Sequence, residues 1–238
     1  MCRQRKRRTH ERPAKRVPLA RLAAFICEIE AQELFPVKMD KASAEMYRRV
    51  ARHANDDEMA DHLRCIAAEE LGWQKMIGDK EYAKLHTTIS FTMASGSEAA
   101  NVIPQEASVV CNIRVSPGDT VNGVLAALEH IAKRHKVELE ILYSNEASPI
   151  TDPDGEAFHF VEAAAKKVWP QYEVIPVLLS GCTDSKHFTD VCPNCLRFTA
   201  MHVSAAQMAS VHGIDENVDV STLAECVDFF KTLISSLK

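Results

Sequence analysis

The sequence predicts a mixed α/β chain, in which an α+β unit of split-βαβ type is followed by the helices and strands of an α/β one. Three observations carry this. Helix, strand, strand, helix and strand follow one another over residues 17–143, which is a split-βαβ unit lacking only its first strand. After Pro149, helical stripes alternate with short apolar runs bounded by polar turns. The 238 residues are 46% hydrophobic, enough for one large domain or two small cores.

The elements follow in order. Over 17–35, Leu19, Leu22, Ala23, Ile26 and Ile29 recur at helical spacing until Pro36 stops the pattern. Residues 39–84 are polar, alanine-rich and helical in tendency, with Gly72 and Gly78 as breaks, and read as an insertion. Residues 87–93 (TTISFTM) and 108–115 (SVVCNIRV) alternate as half-buried strands do. Pro117-Gly118-Asp119 closes the second strand. Thr120 then caps a helix running to about His135, with Val124, Leu125, Leu128 and Ile131 on its buried face. A third strand is expected over 137–143. Thr151-Asp152-Pro153-Asp154 supplies helix-start chemistry for a stripe of Phe158, Val161, Ala165 and Val168, ended by Pro170. Strands are expected over 173–179 and 196–199, and a closing amphipathic helix over 220–237.

Composition narrows the function classes. No apolar run reaches the length of a membrane span, and the basic start is not followed by the apolar core of a signal peptide, so a cytoplasmic protein is expected. Eight cysteines are scattered at 2, 27, 65, 111, 182, 192, 195 and 226, which fits reduced thiols better than a disulfide framework. Residues 1–16 carry eight Lys or Arg against one Glu, a surplus of seven, so a chain at −5 leaves −12 for residues 17–238. A basic arm of this kind could contact nucleic acid. It has no interleaved aromatics to stack on bases and no helix-turn-helix behind it, so a disordered or non-native terminus is the preferred reading.

One stretch carries possible metal chemistry. In His212-Gly213-Ile214-Asp215-Glu216 a glycine frees the backbone to turn and a neighbouring carboxylate could set the imidazole tautomer. A lone loop histidine is equally a surface or cap residue, and the stretch alone leaves both readings open. Other candidates are weaker. Glu69-Glu70 follows an alanine-rich helix and reads as a solvated face. His53, Asp56, Asp57 and His62 form no tight ligand spacing. Cys192-Pro193-Asn194-Cys195 has redox or zinc-knuckle spacing but no second pair.

Taken together, four segments resemble the co-catalytic zinc hydrolases that include acetylornithine deacetylase, succinyl-diaminopimelate desuccinylase, aminoacylase and glutamate carboxypeptidase. In order these are Asn101-Val102-Ile103-Pro104, the run from Asn112 to Asp119 (NIRVSPGD), Gly181-Cys182-Thr183-Asp184-Ser185-Lys186, and His212 to Glu216. The GxTDS turn and the helical insertion point to the carboxypeptidase-S and N-acyl-amino-acid hydrolase branch. The resemblance implies a ferredoxin-like lid and dimerisation domain over 17–148, and the C-terminal half of a zinc-peptidase α/β catalytic domain over 149–238. It implies hydrolysis of amide bonds in small peptides or N-acyl amino acids, two zinc ions in intact relatives, and a homodimer formed through the lid.

By the same resemblance, His212 is a zinc ligand, Asn101 places substrate, and Lys186 grips the substrate carboxylate where relatives have arginine. Gly181 and Thr183 shape that turn, and Thr183 could donate to the carboxylate. Lysine keeps the charge but not the bidentate fork. Glu216 is expected to support the histidine, and Asp215 stands where asparagine is expected. The family's other ligands and its general base have no counterpart, so no catalytic residue is assigned, at most a partial zinc site is expected, and the chain reads as truncated and inactive by itself. Residues 3–11 also match what a glycine-rich lid motif would encode one nucleotide out of frame. Two alternatives remain: a non-catalytic dimerisation module, and a nucleic-acid binder acting through the basic N-terminus.

Overall fold

Four of the eight helices among the described residues start on a short polar side chain that caps them. A computed structural model describes residues 17–179, 181 and 183–237. Its helices are α1 (Pro18–Glu30), α2 (Lys41–Ala51), α3 (Asp57–Ala67), α4 (Asp79–Leu85), α5 (Val121–His135), α6 (Glu156–Val168), α7 (Ala205–Ser210) and α8 (Val220–Ser235), and its strands are β1 (Thr88–Ser95) and β2 (Ser108–Arg114). Short 3-10 turns lie at Trp73–Lys75 and Asp184–His187. The side chains of Asp40, Asp56, Thr120 and Ser204 accept backbone N–H groups in the first turns of α2, α3, α5 and α7, satisfying donors the helix cannot. The basic arm, with its frame-shift reading, lies outside the described residues, as do Ser180 and Cys182.

The chain divides into two compact units, one of residues up to 38 with 77–148, the other of 39–76 with 149–238. In the first, β1 and β2 form an antiparallel hairpin in which Ile89 faces Ile113 and Phe91 faces Cys111, with a bulge between Phe91 and Met93. Period-two alternation puts Ile89, Phe91, Val109 and Ile113 on the inward side, where Leu22, Phe25 and Ile29 of α1 and Val124, Leu128 and Ile131 of α5 bury against them. Each such side chain contributes about 1.5–3 kcal/mol over leaving it in water. α5 ends on Lys136 with φ 55, and the Val137 N–H turns back to the Ala132 carbonyl at 2.9 Å. Lys133, Arg134 and His135 complement the negative end of its dipole. Two of them also grip α1, since Arg134 and His135 both bond to Glu28.

Asp119, from the Pro117-Gly118-Asp119 turn, ties three connections of this unit together. Lys38 Nζ bonds its Oδ1 at 2.6 Å, Thr87 Oγ1 donates to its Oδ2 at 2.6 Å, and the Ser116 N–H donates to Thr87 Oγ1 at 2.9 Å. Burial pushes the Asp119 carboxyl up, but Lys38 and Thr87 outweigh it and hold the group below its ordinary value. A depressed folded pKa stabilises above the unfolded value of 3.8 and is lost as pH falls through the folded one. Asp119→Asn is therefore expected to cost roughly 1–3 kcal/mol near neutral pH. The difference from the parent should shrink in acid, as read by urea midpoints at both pH values; a constant difference would refute the assignment.

In the second unit α2 and α3 form a helical pair, and α6 packs on α8 around Ala164, Ala165, Ala200 and Phe229. The insertion therefore groups with residues beyond 149, whereas its position in the chain suggested the lid. The reason is a polar clasp. Arg49 of α2, only 7% exposed, donates from Nε to Glu45 at 2.7 Å and from Nη1 to Glu162 of α6 at 2.6 Å and to the Val174 carbonyl at 2.6 Å. Its guanidinium also lies 5.3 Å from the Phe158 ring centroid.

Several expectations need correction. Among the described residues, 137–143, 173–179 and 196–199 add no strand beside β1 and β2, since they make no ladder bonds with one another or with another described residue. α6 begins at Glu156 behind Gly155, while Asp152 Oδ1 instead accepts the Asp154 N–H in a turn before the helix. Glu69 has φ 53 and lies with Glu70 in the turn after α3, so the pair caps a helix end and is not a helix face. His53, Asp56 and His62 are used locally, by Glu173 at 2.7 Å, the Met59 N–H at 2.7 Å and the Met76 carbonyl at 3.2 Å. No helix among the described residues is long and apolar enough to cross a membrane.

Candidate functional site

Thr183 organises the turn that follows residues 173–179. Extended at φ −133, it caps the 3-10 turn Asp184–His187, with its Oγ1 bonded to Ser185 Oγ at 2.6 Å and its carbonyl accepting the Lys186 N–H at 3.2 Å. From the far end of the loop, Arg197 Nε donates to the same Thr183 Oγ1 at 3.2 Å. One hydroxyl thus joins a half-buried lysine turn to an exposed guanidinium. Neither Lys186 Nζ nor the Arg197 Nη groups form an ion pair with a described carboxylate. A Cβ on Gly181 would meet nothing within 4 Å, so the start of this turn is open rather than crowded.

Arg197, whose Nε meets the Thr183 hydroxyl and whose Nη groups pair with no described carboxylate, can hold an anion and brings the planar fork that lysine lacks. Sequence reasoning missed Arg197. It belongs to no quoted motif, and only the loop's closure brings it to Thr183.

His212 lies on the turn between α7 and α8, exposed, with φ 62. Its N–H donates to Glu216 Oε2 at 2.9 Å, the Gly213 N–H donates to the Ser210 carbonyl at 2.7 Å, and Asn217 links the Asp215 carbonyl at 2.6 Å to Gln207 at 3.2 Å. A Cβ on Gly213 would come within 3.0 Å of the Ser210 carbonyl oxygen, so this position needs glycine for close approach. Asp215 also has φ 61. Two left-handed non-glycine residues in one turn hold about 1–3 kcal/mol each that the surrounding bonds must offset. Glu216 supports the histidine through its backbone, not its ring, which corrects the expected tautomer-setting role. The imidazole bonds to no described residue.

Asn101 belongs to the first unit, where it is exposed on a turn closed by the Val102 N–H to the Ala99 carbonyl at 3.2 Å. Among the described residues no group of three or more His, Cys, Asp or Glu could hold a metal ion. These residues therefore do not fit a two-zinc centre, and His212 is at most one donor toward one.

Comparison with known proteins bears on this arrangement. The peptidase dimerisation domain family matches residues 10–140. A probable carboxypeptidase S-like protein of Dictyostelium discoideum is 28% identical over 63% of this chain and 29% of its own length. The N-fatty-acyl-amino acid synthase/hydrolase PM20D1 of Mus musculus is 29% identical over 65% of this chain and 31% of its own. The succinyl-diaminopimelate desuccinylase of Nitrosospira multiformis is 28% identical over 74% of this chain and 45% of its own. The crystal structure of an M20 family metallo-carboxypeptidase from Sulfolobus solfataricus matches in fold with a TM-score of 0.54 at 13% identity, over 92% of this chain and 52% of that one. The chain spans less than half the length of these curated relatives.

Proposed function

We propose, since the chain belongs to the M20 peptidase dimerisation-domain family, that it serves in the hydrolysis of amide bonds in N-acyl amino acids or small peptides, where it grips the substrate's free carboxylate. The observation that carries this is Thr183, whose carbonyl takes the Lys186 N–H and whose hydroxyl takes Arg197 Nε, with neither cation in an ion pair with a described carboxylate. In the proposal Arg197 forks the carboxylate, Lys186 adds charge, and Thr183 fixes the geometry of the two. Asn101 is offered as a substrate-placing residue, and the first unit as the part that pairs two copies of the chain. His212 is offered as one zinc ligand. Zinc, when bound in intact members of the family, supplies Lewis-acid polarisation and an activated water. The remaining donors of such a centre are not among the described residues. These residues by themselves are accordingly proposed not to turn over substrate.

The test uses binding, not turnover. An N-acyl amino acid and its C-terminal amide are titrated into the purified chain, and only the acid is expected to bind. Arg197→Ala and Lys186→Ala should each weaken the acid by roughly 10–100-fold, since a hydrogen bond to a charged group is worth about 1.5–3 kcal/mol. Equal affinity for acid and amide would refute the carboxylate grip.

A non-catalytic dimerisation module is the second reading, favoured by the absence of a ligand group among the described residues. A light-scattering dimer that binds neither compound would support it. Two bound zinc ions with turnover would overturn both it and the proposed inactivity.

A further inference from the structure

The loop between Thr183 and Arg197 carries a feature that carboxylate binding does not use. Leaving the 3-10 turn Asp184–His187, the Phe188 N–H donates to the Ser185 carbonyl at 3.0 Å, and the Val191 and Cys192 N–H groups both return to the Phe188 carbonyl at 3.0 and 2.8 Å. These bonds close a turn over residues 188–192, and the chain then bends at Pro193 within Cys192-Pro193-Asn194-Cys195. Within it Cys192 Sγ donates to the Asn194 carbonyl at 3.4 Å and Cys195 Sγ donates to the Cys192 carbonyl at 3.3 Å. Each thiol is turned back over the backbone of the same four residues. Cys192 is exposed and Cys195 is half-buried. Both are free, and no third His, Cys, Asp or Glu joins them in a possible metal site among the described residues.

We propose that Cys192 and Cys195 form a reversible dithiol–disulfide site that sets the stiffness of the loop bearing Lys186 and Arg197. The oxidant is a small disulfide of the glutathione class. The Cys192 thiolate attacks one of its sulfurs, forming a mixed disulfide and expelling one small thiolate. The Cys195 thiolate then attacks Cys192 Sγ, closing the protein S–S bond and expelling the second. The two protons leave the protein thiols and end on the two released small thiols. The protein loses two electrons, and the small disulfide gains them.

The second step is intramolecular and so is favoured by proximity over escape of the mixed disulfide. Oxidation removes both S–H donors, but the Cys192 and Asn194 residues whose carbonyls accepted them are exposed to water, so the change carries little desolvation cost. In a reducing compartment such a pair acts transiently, as a sensor, rather than as a structural link.

The thiol chemistry does not rest on the carboxylate reading, and its test needs no substrate. The intact chain is equilibrated in glutathione buffers of graded oxidation, quenched by alkylation and digested with trypsin. Cleavage after Lys186 and Arg197 releases the fragment 187–197, which holds Cys192 and Cys195 and no other cysteine. The fraction of this fragment that escapes alkylation, two hydrogens lighter than the free dithiol, is expected to rise with the oxidised ratio, and dithiothreitol before the quench restores the doubly alkylated form. In the Cys195→Ser chain the mixed disulfide should instead be trapped on Cys192. Native-state cleavage after Lys186 should slow several-fold on oxidation, because proteolysis tracks local opening. A fragment that stays unmodified while other thiols react would overturn the proposal. So would a persistent glutathione adduct on the unmutated chain, and an unchanged cleavage rate would overturn the loop's stiffening.

Discussion

Arg49→Ala is expected to destabilise the second unit by about 3–5 kcal/mol, seen as a lower urea midpoint, because it leaves Glu162 buried without its guanidinium. Glu162 is 9% exposed and takes Arg49 Nη1 at 2.6 Å, with Lys166 at 3.3 Å and His159 at 3.2 Å as weaker partners. The Val174 carbonyl and Glu45 lose the same donor group. Charge and geometry can be separated by a second variant. Arg49→Met combined with Glu162→Leu removes both buried charges and should recover most of the loss, since a buried pair often does no better than well-packed apolar residues. Burial raises the Glu162 carboxyl, yet His159, Arg49 and Lys166 together hold it below its ordinary value. Stability from the clasp is therefore present above the unfolded value of 4.5 and lost as pH falls through the folded one. An Arg49→Ala chain within about 1 kcal/mol of the parent would show that the clasp is ornamental.

Phe229→Ala is the second large effect, with an expected loss of about 3–5 kcal/mol from transfer and cavity terms. Phe229 is 2% exposed, with its ring centroid 5.0 Å from that of Phe198 and 5.8 Å from that of Trp169, and it packs with Ala164, Ala165 and Ala200. The truncation should also shift Trp169 fluorescence to the red as water reaches the indole. Phe230→Ala is the control, because that ring is 43% exposed and should cost far less. Equal losses at the two positions would mean that α8 does not pack as described.

These two residues also show where the sequence was legible. Phe229 belongs to the expected closing helix, and its burial follows from Thr222, Cys226, Phe229 and Leu233 recurring on the side that faces α6. A second apolar stripe on the same helix, Leu223, Val227, Phe230 and Ile234, is exposed. Periodicity alone does not rank two such stripes. Arg49 gave no signal, since its partner Glu162 is 113 residues away and a buried arginine is spelled like an exposed one.

The candidate site divides in the same way. Thr183, Lys186 and His212 could be proposed from sequence because they sit in short motifs whose order carried the family resemblance. Arg197 could not, because its bond to Thr183 depends on a loop closing across 14 residues.

By itself the sequence determined the helices within 17–35, 120–135 and 220–237, the cap at Thr120, the strands β1 and β2, and the family. Thr120 to His135 is a helix because its cap, apolar stripe and basic last turn lie in one local run, and β1 and β2 each alternate within their own short runs on either side of residues 96–107. Only the tertiary structure decided which extended segments found partners, that residues 39–76 join those beyond 149, and that Arg197 meets Thr183. A helix satisfies its backbone within itself and so can be read locally. A strand, a buried ion pair and a binding turn are completed by atoms far away in the chain, and nothing in their own residues says which atoms will arrive.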